Sequence, residues 1–367
     1  MKIALVHDYL REYGGAEQVL RTLSDMYPNA PIHVAFKVDG STGDRKFADR
    51  IVKESRFATI LKIWKLYSPL RFLTPWIWKS FDLSEYDVVV TSAGWYITRG
   101  FRVGQNTKVI CYCHTPPRWL YGYESAGRYQ KYWLVKMYAQ IVGYFLRRYD
   151  KSTVDSVDYW VSNSKNVEDR IINLYGVDPL VIYPPVEIEK FIEAAKSARK
   201  GDYMLIVSRL TGAKGILEAA KAANKYKFSL KIAGESSDVS GILIDLKKQE
   251  GKHVELLGRV PDDEIASLYA KAKGFLALAK DEDFGITPVE AMASGTPVIA
   301  YDGGGFRESV IDGKTGILVK SQSPKTIADA VKKLKRKKWD KKVLQTQAKK
   351  FSKEKFVGQF SHLVRTI

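Results

Sequence analysis

Short apolar runs alternate with longer helix-patterned stretches along most of the chain, and this rhythm constrains the fold more than any other feature. Lys2–Val6, Val88–Thr91, Val109–Tyr112 and Tyr159–Ser162 read as strands in the first half. Met204–Val207, Leu230–Ala233, Val254–Leu257, Phe275–Leu278, Val298–Ala300 and Gly316–Val319 do so in the second. Such runs are apolar at successive positions, as expected of parallel strands buried on both faces. Ala16–Met26, Ile216–Lys225, Asp262–Ala270 and Pro324–Leu334 lie between them with helical patterns. The order predicts an α/β protein in which helices cover parallel sheets. Two prolines, Pro184 and Pro185, break the rhythm before a fresh series starts near Tyr203. That places a domain boundary at residues 183/184. Ligands in such sheets bind beyond the carboxyl ends of the strands, so the residues just after each run are the candidates for chemistry.

A length of 367 residues fits two domains. Lys and Arg outnumber Asp and Glu by 59 to 41, a net charge of +18 that favours anionic partners. The two cysteines, Cys111 and Cys113, are too few and too close for a disulfide-built fold or a multi-cysteine metal site. The apolar run at the start is short and meets His7 and Asp8 at once, unlike a signal peptide. No run of about 18 apolar residues offers a membrane span, and the expected location is the cytoplasm. Lys332–Lys355 holds twelve basic and two acidic residues. It reads as solvated helix surface. A non-catalytic nucleic-acid-binding protein is the alternative such charge raises. The run has little aromatic interleaving beyond Trp339 and Phe351, and no nucleic-acid motif accompanies it. No nucleic-acid partner is expected.

The densest chemistry lies in Glu282-Asp283-Phe284-Gly285-Ile286-Thr287-Pro288-Val289-Glu290, between a strand and a helix. Thr287 is expected as the N-cap, Pro288 at the first helical position and Glu290 in a capping box. Free N–H groups at a helix start favour an anion, and Gly285 permits its close approach. Asp281, Glu282 and Asp283 are adjacent on one loop with no histidine beside them, so no metal is expected.

Glu282 and Glu290 stand eight positions apart, and Ala-Met-Ala-Ser-Gly-Thr-Pro-Val-Ile-Ala and Gly303-Gly304-Gly305 follow. Gly14-Gly15-Ala16-Glu17, His114-Thr115-Pro116-Pro117-Arg118, Ser208-Arg209-Leu210 and Lys214-Gly215 occur in the same order as in a known family. Taken together, the chain resembles glycosyltransferase family 4, the retaining enzymes of the GT-B fold. The resemblance implies two Rossmann-like domains with parallel sheets facing across a cleft. The first would comprise residues 1–183, completed by 352–367, and the second 184–351.

The resemblance further implies transfer of a hexose from a nucleotide diphosphate sugar to a hydroxyl of a glycan or lipid-linked acceptor, with anomeric retention and without a cofactor. Glu282 would hold sugar hydroxyls near the anomeric centre and Glu290 the ribose. The backbone of Gly285, Ile286 and Thr287 would face the sugar and diphosphate. Arg209 and Lys214 would take the charge that develops on the leaving diphosphate. Gly15 would approach the diphosphate, His114 would contact the transferred sugar, Arg259 would flank the base, and Asp8 would orient or deprotonate the acceptor. The His114 string is most like members that use GDP-mannose, with UDP-glucose or another UDP-hexose as the alternative.

Ile51–Ser80 mixes six basic residues with six aromatics. Leu61, Trp64, Leu66, Tyr67, Leu70, Phe72, Leu73, Trp76 and Trp78 stand among Lys53, Arg56, Lys62, Lys65, Arg71 and Lys79. With Tyr129–Tyr149, it is expected to lie peripherally on an anionic membrane surface as short amphipathic helices.

Overall fold

The computed structural model describes residues 1–63, 67, 69–123, 133–236 and 241–367. The chain divides into two compact units. Of the described residues, the first comprises those within 1–123, 133–185 and 356–367, and the second those within 186–355.

The strands of the first unit are β1 (Ile3–His7), β2 (Ile32–Val34), β3 (Val52–Glu54), β4 (Val88–Ala93), β5 (Lys108–Cys113), β6 (Tyr159–Ser162) and β7 (Leu180–Val181). They form one parallel sheet in the order β3-β2-β1-β4-β5-β6-β7. Alternation along β1 shows how both faces are filled, because successive side chains point to opposite sides. Leu5 belongs to a core with Val90, Tyr112, Phe356, Phe360 and Val364, so the final helix Lys353–Thr366 covers that face. Ala4 and Val6 belong to a second core with Leu61, Ile77, Trp78, Phe81 and Val89.

That second core corrects part of the membrane expectation. Trp78 is fully buried and its Nε1–H donates to Tyr96 O at 2.7 Å, and Leu61 is buried beside it. Tyr67, Leu70 and Leu73 pack against the same core. An indole removed from water here contributes roughly 3–5 kcal/mol against alanine, far more than interfacial contact would return. Trp76 and Phe72 do stay exposed, at 56% and 41%. Trp64, Lys65, Leu66 and the first residues of Tyr129–Tyr149 lie outside the described residues.

His33 on β2 is buried with its ring edge-on to Phe81 and Tyr86. Burial, reinforced by the Lys53 charge, pushes its pKa down to about 4.

In the second unit the strands are β8 (Tyr203–Val207), β9 (Ser229–Ala233), β10 (Val254–Gly258), β11 (Gly274–Ala277), β12 (Val298–Tyr301) and β13 (Gly316–Val319). They form a parallel sheet in the order β10-β9-β8-β11-β12-β13. The order reverses direction between β8 and β11, so the loops leaving these two neighbours open at one place. Lys214 follows β8 and Glu282 follows β11.

Candidate active site

The loop after β8 ends in a single 3-10 turn, Gly212–Lys214, before the helix Ile216–Tyr226. The loop after β11 carries Glu282 into the helix Ile286–Ala293. Lys214 Nζ and Glu282 Oε2 meet at 2.5 Å, with the two side chains 26% and 21% exposed. This is an ion pair reachable from solvent, in which a cation and a hydrogen-bond acceptor share one point.

The glycine triplet explains how Glu282 is held. Gly305 N–H donates to Glu282 O at 2.9 Å. Gly304 has φ +55, and a Cβ there would collide with Glu282 O, while one on Gly305 would strike Asp283 O and Phe284 Cα. The two backbones touch directly, which only residues without side chains allow.

The helix beside the pair starts earlier than the capping pattern predicts. Gly285, at φ +87, occupies the N-cap, and the helix begins at Ile286, with no side-chain cap. A Cβ on Gly285 would lie 2.5 Å from Phe306 Cε1. Thr287 and Pro288 therefore sit inside the first turn, where a missing proline N–H costs nothing because first-turn N–H groups have no intrahelical acceptor. Glu290 makes no capping box. Its Oε2 accepts the Tyr269 hydroxyl at 2.8 Å, which satisfies a buried phenol in need of an acceptor. Burial, then the Glu290 charge, raises the Tyr269 pKa well above its ordinary value.

The remaining basic candidates stand farther out. Arg209 is exposed at the end of β8. Arg259, just past β10, is half exposed and lies 3.6 Å from Glu235 Oε2. Among the described residues, no group of three or more His, Cys, Asp or Glu is placed to hold a metal ion.

In the first unit, the ends of β1, β4 and β5 gather His7, Asp8, Ser92 and His114. Asp8, expected to serve an acceptor hydroxyl, is 7% exposed. Its Oδ2 accepts Trp95 N–H at 2.5 Å and its Oδ1 accepts Tyr96 N–H at 3.0 Å. Burial raises its pKa against the lowering pull of His7 and these two bonds. In this geometry Asp8 holds the turn after β4, each of its oxygens accepting one backbone N–H. His114 is half-buried, and its Nε2 lies 2.7 Å from Ser92 Oγ. Gly15 is exposed at the start of the helix Gly15–Met26, whose first turn is closed by Gly14 N–H donating to Glu17 Oε2 at 2.9 Å. Ser92 and Tyr269 escaped the sequence reading, and Glu17 entered it only as a member of the Gly14-Gly15-Ala16-Glu17 string, with no role of its own. Only Glu17 carried a local signal, an acid three residues after a glycine N-cap.

Two parallel α/β sheets, with strand-end loops gathering a Lys–Glu pair beside a helix start, are the elements of the GT-B fold, and comparison with known proteins points the same way. Residues 13–190 match the family model for Glycosyltransferase Family 4, and residues 187–351 match that for Glycosyl transferases group 1. The two models together cover residues 13–351. A glycosyltransferase of Methanocaldococcus jannaschii is 29% identical over 58% of this chain and 59% of its own length. The D-inositol 3-phosphate glycosyltransferase of Mycobacteroides abscessus is 26% identical over 50% of this chain and 45% of its own. The chain thus spans about half the length of these curated relatives. The structure of Anabaena HepE in complex with UDP superposes with a TM-score of 0.70 at 16% identity, covering all of both chains.

Proposed function

We propose that this chain transfers a hexose from a nucleoside diphosphate sugar to a hydroxyl of a glycan or lipid-linked acceptor, with anomeric retention. The observation that carries the reading is the Lys214–Glu282 pair on the loops after β8 and β11, next to the start of the helix Ile286–Ala293. An ammonium and first-turn N–H groups can hold a diphosphate, and a carboxylate can accept sugar hydroxyl hydrogen bonds. As a bond to the diphosphate breaks, negative charge grows on its oxygens, and Lys214 with Arg209 stabilises that state more than the ground state. Gly285, Ile286 and Thr287 line the diphosphate. Glu290, oriented by Tyr269, accepts from the ribose, and Arg259 flanks the base. In the first unit His114 takes a sugar hydroxyl and Gly15 lets backbone approach a phosphate. No metal or cofactor enters the mechanism; the attacking hydroxyl's proton goes to the departing diphosphate on the same face.

GDP-mannose is favoured as donor on the His114-Thr115-Pro116-Pro117-Arg118 string. A UDP-hexose is the alternative, supported by the structural neighbour described in complex with UDP-glucose. Thermal unfolding with each donor tests both. A stabilising shift with one nucleotide sugar at concentrations above its Kd is expected, and none with any of them refutes the reading.

The exposed face of the helix Trp133–Ser152 supports peripheral binding to an anionic bilayer. Trp133, Met137, Ile141, Tyr144 and Phe145 are 46–70% exposed along it, with Lys136 and Arg148 also on the surface. The Tyr138 hydroxyl donates to Pro69 O, which brings the short helix carrying Phe72 alongside. Apolar rings amid basic groups suit the headgroup boundary. Among the described residues no helix is long and apolar enough to cross a membrane.

A further inference from the structure

A buried hydrogen-bonded chain in the first unit leads to His114 through residues that the proposed function does not use. Glu17 Oε1 lies 3.5 Å from His7 Nε2. His7 Nδ1 lies 3.1 Å from Ser92 O and 3.0 Å from Ser92 Oγ. Ser92 Oγ lies 2.7 Å from His114 Nε2. His7, Glu17 and Ser92 are 1%, 8% and 0% exposed.

The positions of the hydrogens follow from what each atom can do. Ser92 O is a carbonyl and only accepts, so His7 Nδ1 donates. His7 Nε2 faces a carboxylate and donates as well, which makes His7 an imidazolium paired with an ionised Glu17. The titration directions agree. Burial alone would lower the His7 pKa, but the hydrogen bond and charge of Glu17 leave it raised. Burial alone would raise the Glu17 pKa, but the bond and charge of His7 leave it lowered. The Nδ1–H of His7 forks between both oxygens of Ser92. Its hydroxyl oxygen thus accepts from His7, and for the hydroxyl's own hydrogen the acceptor at hand is His114 Nε2, 2.7 Å away. A ring nitrogen that accepts bears no hydrogen, so in neutral His114 the hydrogen sits on Nδ1.

We propose that Glu17, His7 and Ser92 are positioning residues that hold His114 as the neutral Nδ1–H tautomer, so that toward a sugar hydroxyl its ring donates a hydrogen bond and does not act as a base. Each link has a structural reason. Glu17 is fixed by Gly14 N–H, Ser92 by its place on β4, and the His114 backbone by its N–H to Ala93 O at 2.7 Å and by Asn163 Nδ2–H donating to His114 O at 2.9 Å. The inference rests on the proposed contact of His114 with sugar only for its consequence, not for the tautomer itself.

The test is nitrogen NMR of the full chain labelled with 15N-histidine, with His114 assigned by the signal that disappears in His114→Asn. His114 Nε2 is expected at the shift of an unprotonated ring nitrogen and Nδ1 at that of a protonated one. Ser92→Ala should move the ring toward the Nε2–H form, and Ser92→Thr, which keeps the hydroxyl, should leave it in the original form. A proton on Nε2 in the wild-type chain overturns the proposal without any variant, and so does a tautomer indifferent to Ser92→Ala. Because this readout needs no turnover, an Nδ1–H ring in a chain that binds no nucleotide sugar would sustain the proposal while defeating the functional reading.

Discussion

Removing the charge of Glu282 while keeping its shape should separate donor handling from transfer. Glu282 Oε2 lies 2.5 Å from Lys214 Nζ, and both side chains are roughly a quarter exposed. A diphosphate that reaches Lys214 must also approach this carboxylate. One unit charge at ~6 Å, in a partly exposed site of effective dielectric ~40, repels by about 1.4 kcal/mol. Glu282→Gln removes that repulsion and frees Lys214, so UDP or GDP, whichever the protein takes, should bind about tenfold tighter. Transfer should fall by about a hundredfold, because the carboxylate at the reacting carbon is lost. Titration calorimetry with the nucleoside diphosphate and release of diphosphate during turnover measure the two effects. In the double variant Lys214→Met with Glu282→Gln, the gain in affinity should vanish. Unchanged or weaker nucleotide binding in Glu282→Gln would refute competition between the carboxylate and the diphosphate. An undiminished rate would refute the role of Glu282 in transfer.

Other outcomes follow from the same geometry. His33 is neutral in the folded chain down to about pH 4, while its unfolded value is 6.5, so the unfolded chain takes up a proton first and stability is lost as pH falls through that interval. The loss attributable to His33 should be about 2 kcal/mol at pH 5 and about 3 kcal/mol at pH 4; urea unfolding of His33→Leu should lack it, and an identical pH slope in both proteins counts against the burial argument. Transfer should persist in EDTA while Arg209→Ala and Lys214→Ala each weaken it; activity lost to EDTA and restored by Mg²⁺ or Mn²⁺ would contradict a site built on two cations. The protein should float with anionic vesicles at low salt and detach at high salt; Trp133→Ala, Ile141→Ala and Phe145→Ala together should weaken flotation without changing donor binding, since all three are more than half exposed.

Local sequence determined the central strands and most of the site's loops. Runs such as Val88–Thr91 and Val298–Ala300 advertise themselves because a strand buried on both faces must be apolar at every position. The helices after β1, β8 and β10 and the helix Pro324–Arg336 were legible for the complementary reason, a periodic apolar face ending at polar or glycine stops. The peripheral strands β2, β3 and β7 were not, since two or three residues carry too little pattern to distinguish them from loop. Nor could composition tell Trp78 in the core from Trp76 in solvent, two positions away on one helix. Glu290 looked like a cap because its local spacing allowed one, and Tyr269, 21 residues earlier, took it instead. The decisive pairings span still longer separations: 68 residues from Lys214 to Glu282, 85 from His7 to Ser92 and 22 from Ser92 to His114. Periodicity reports only which way a side chain faces its own element. Which side chains meet at the ends of parallel strands depends on strand order and register, and those are settled only when the whole sheet closes its core.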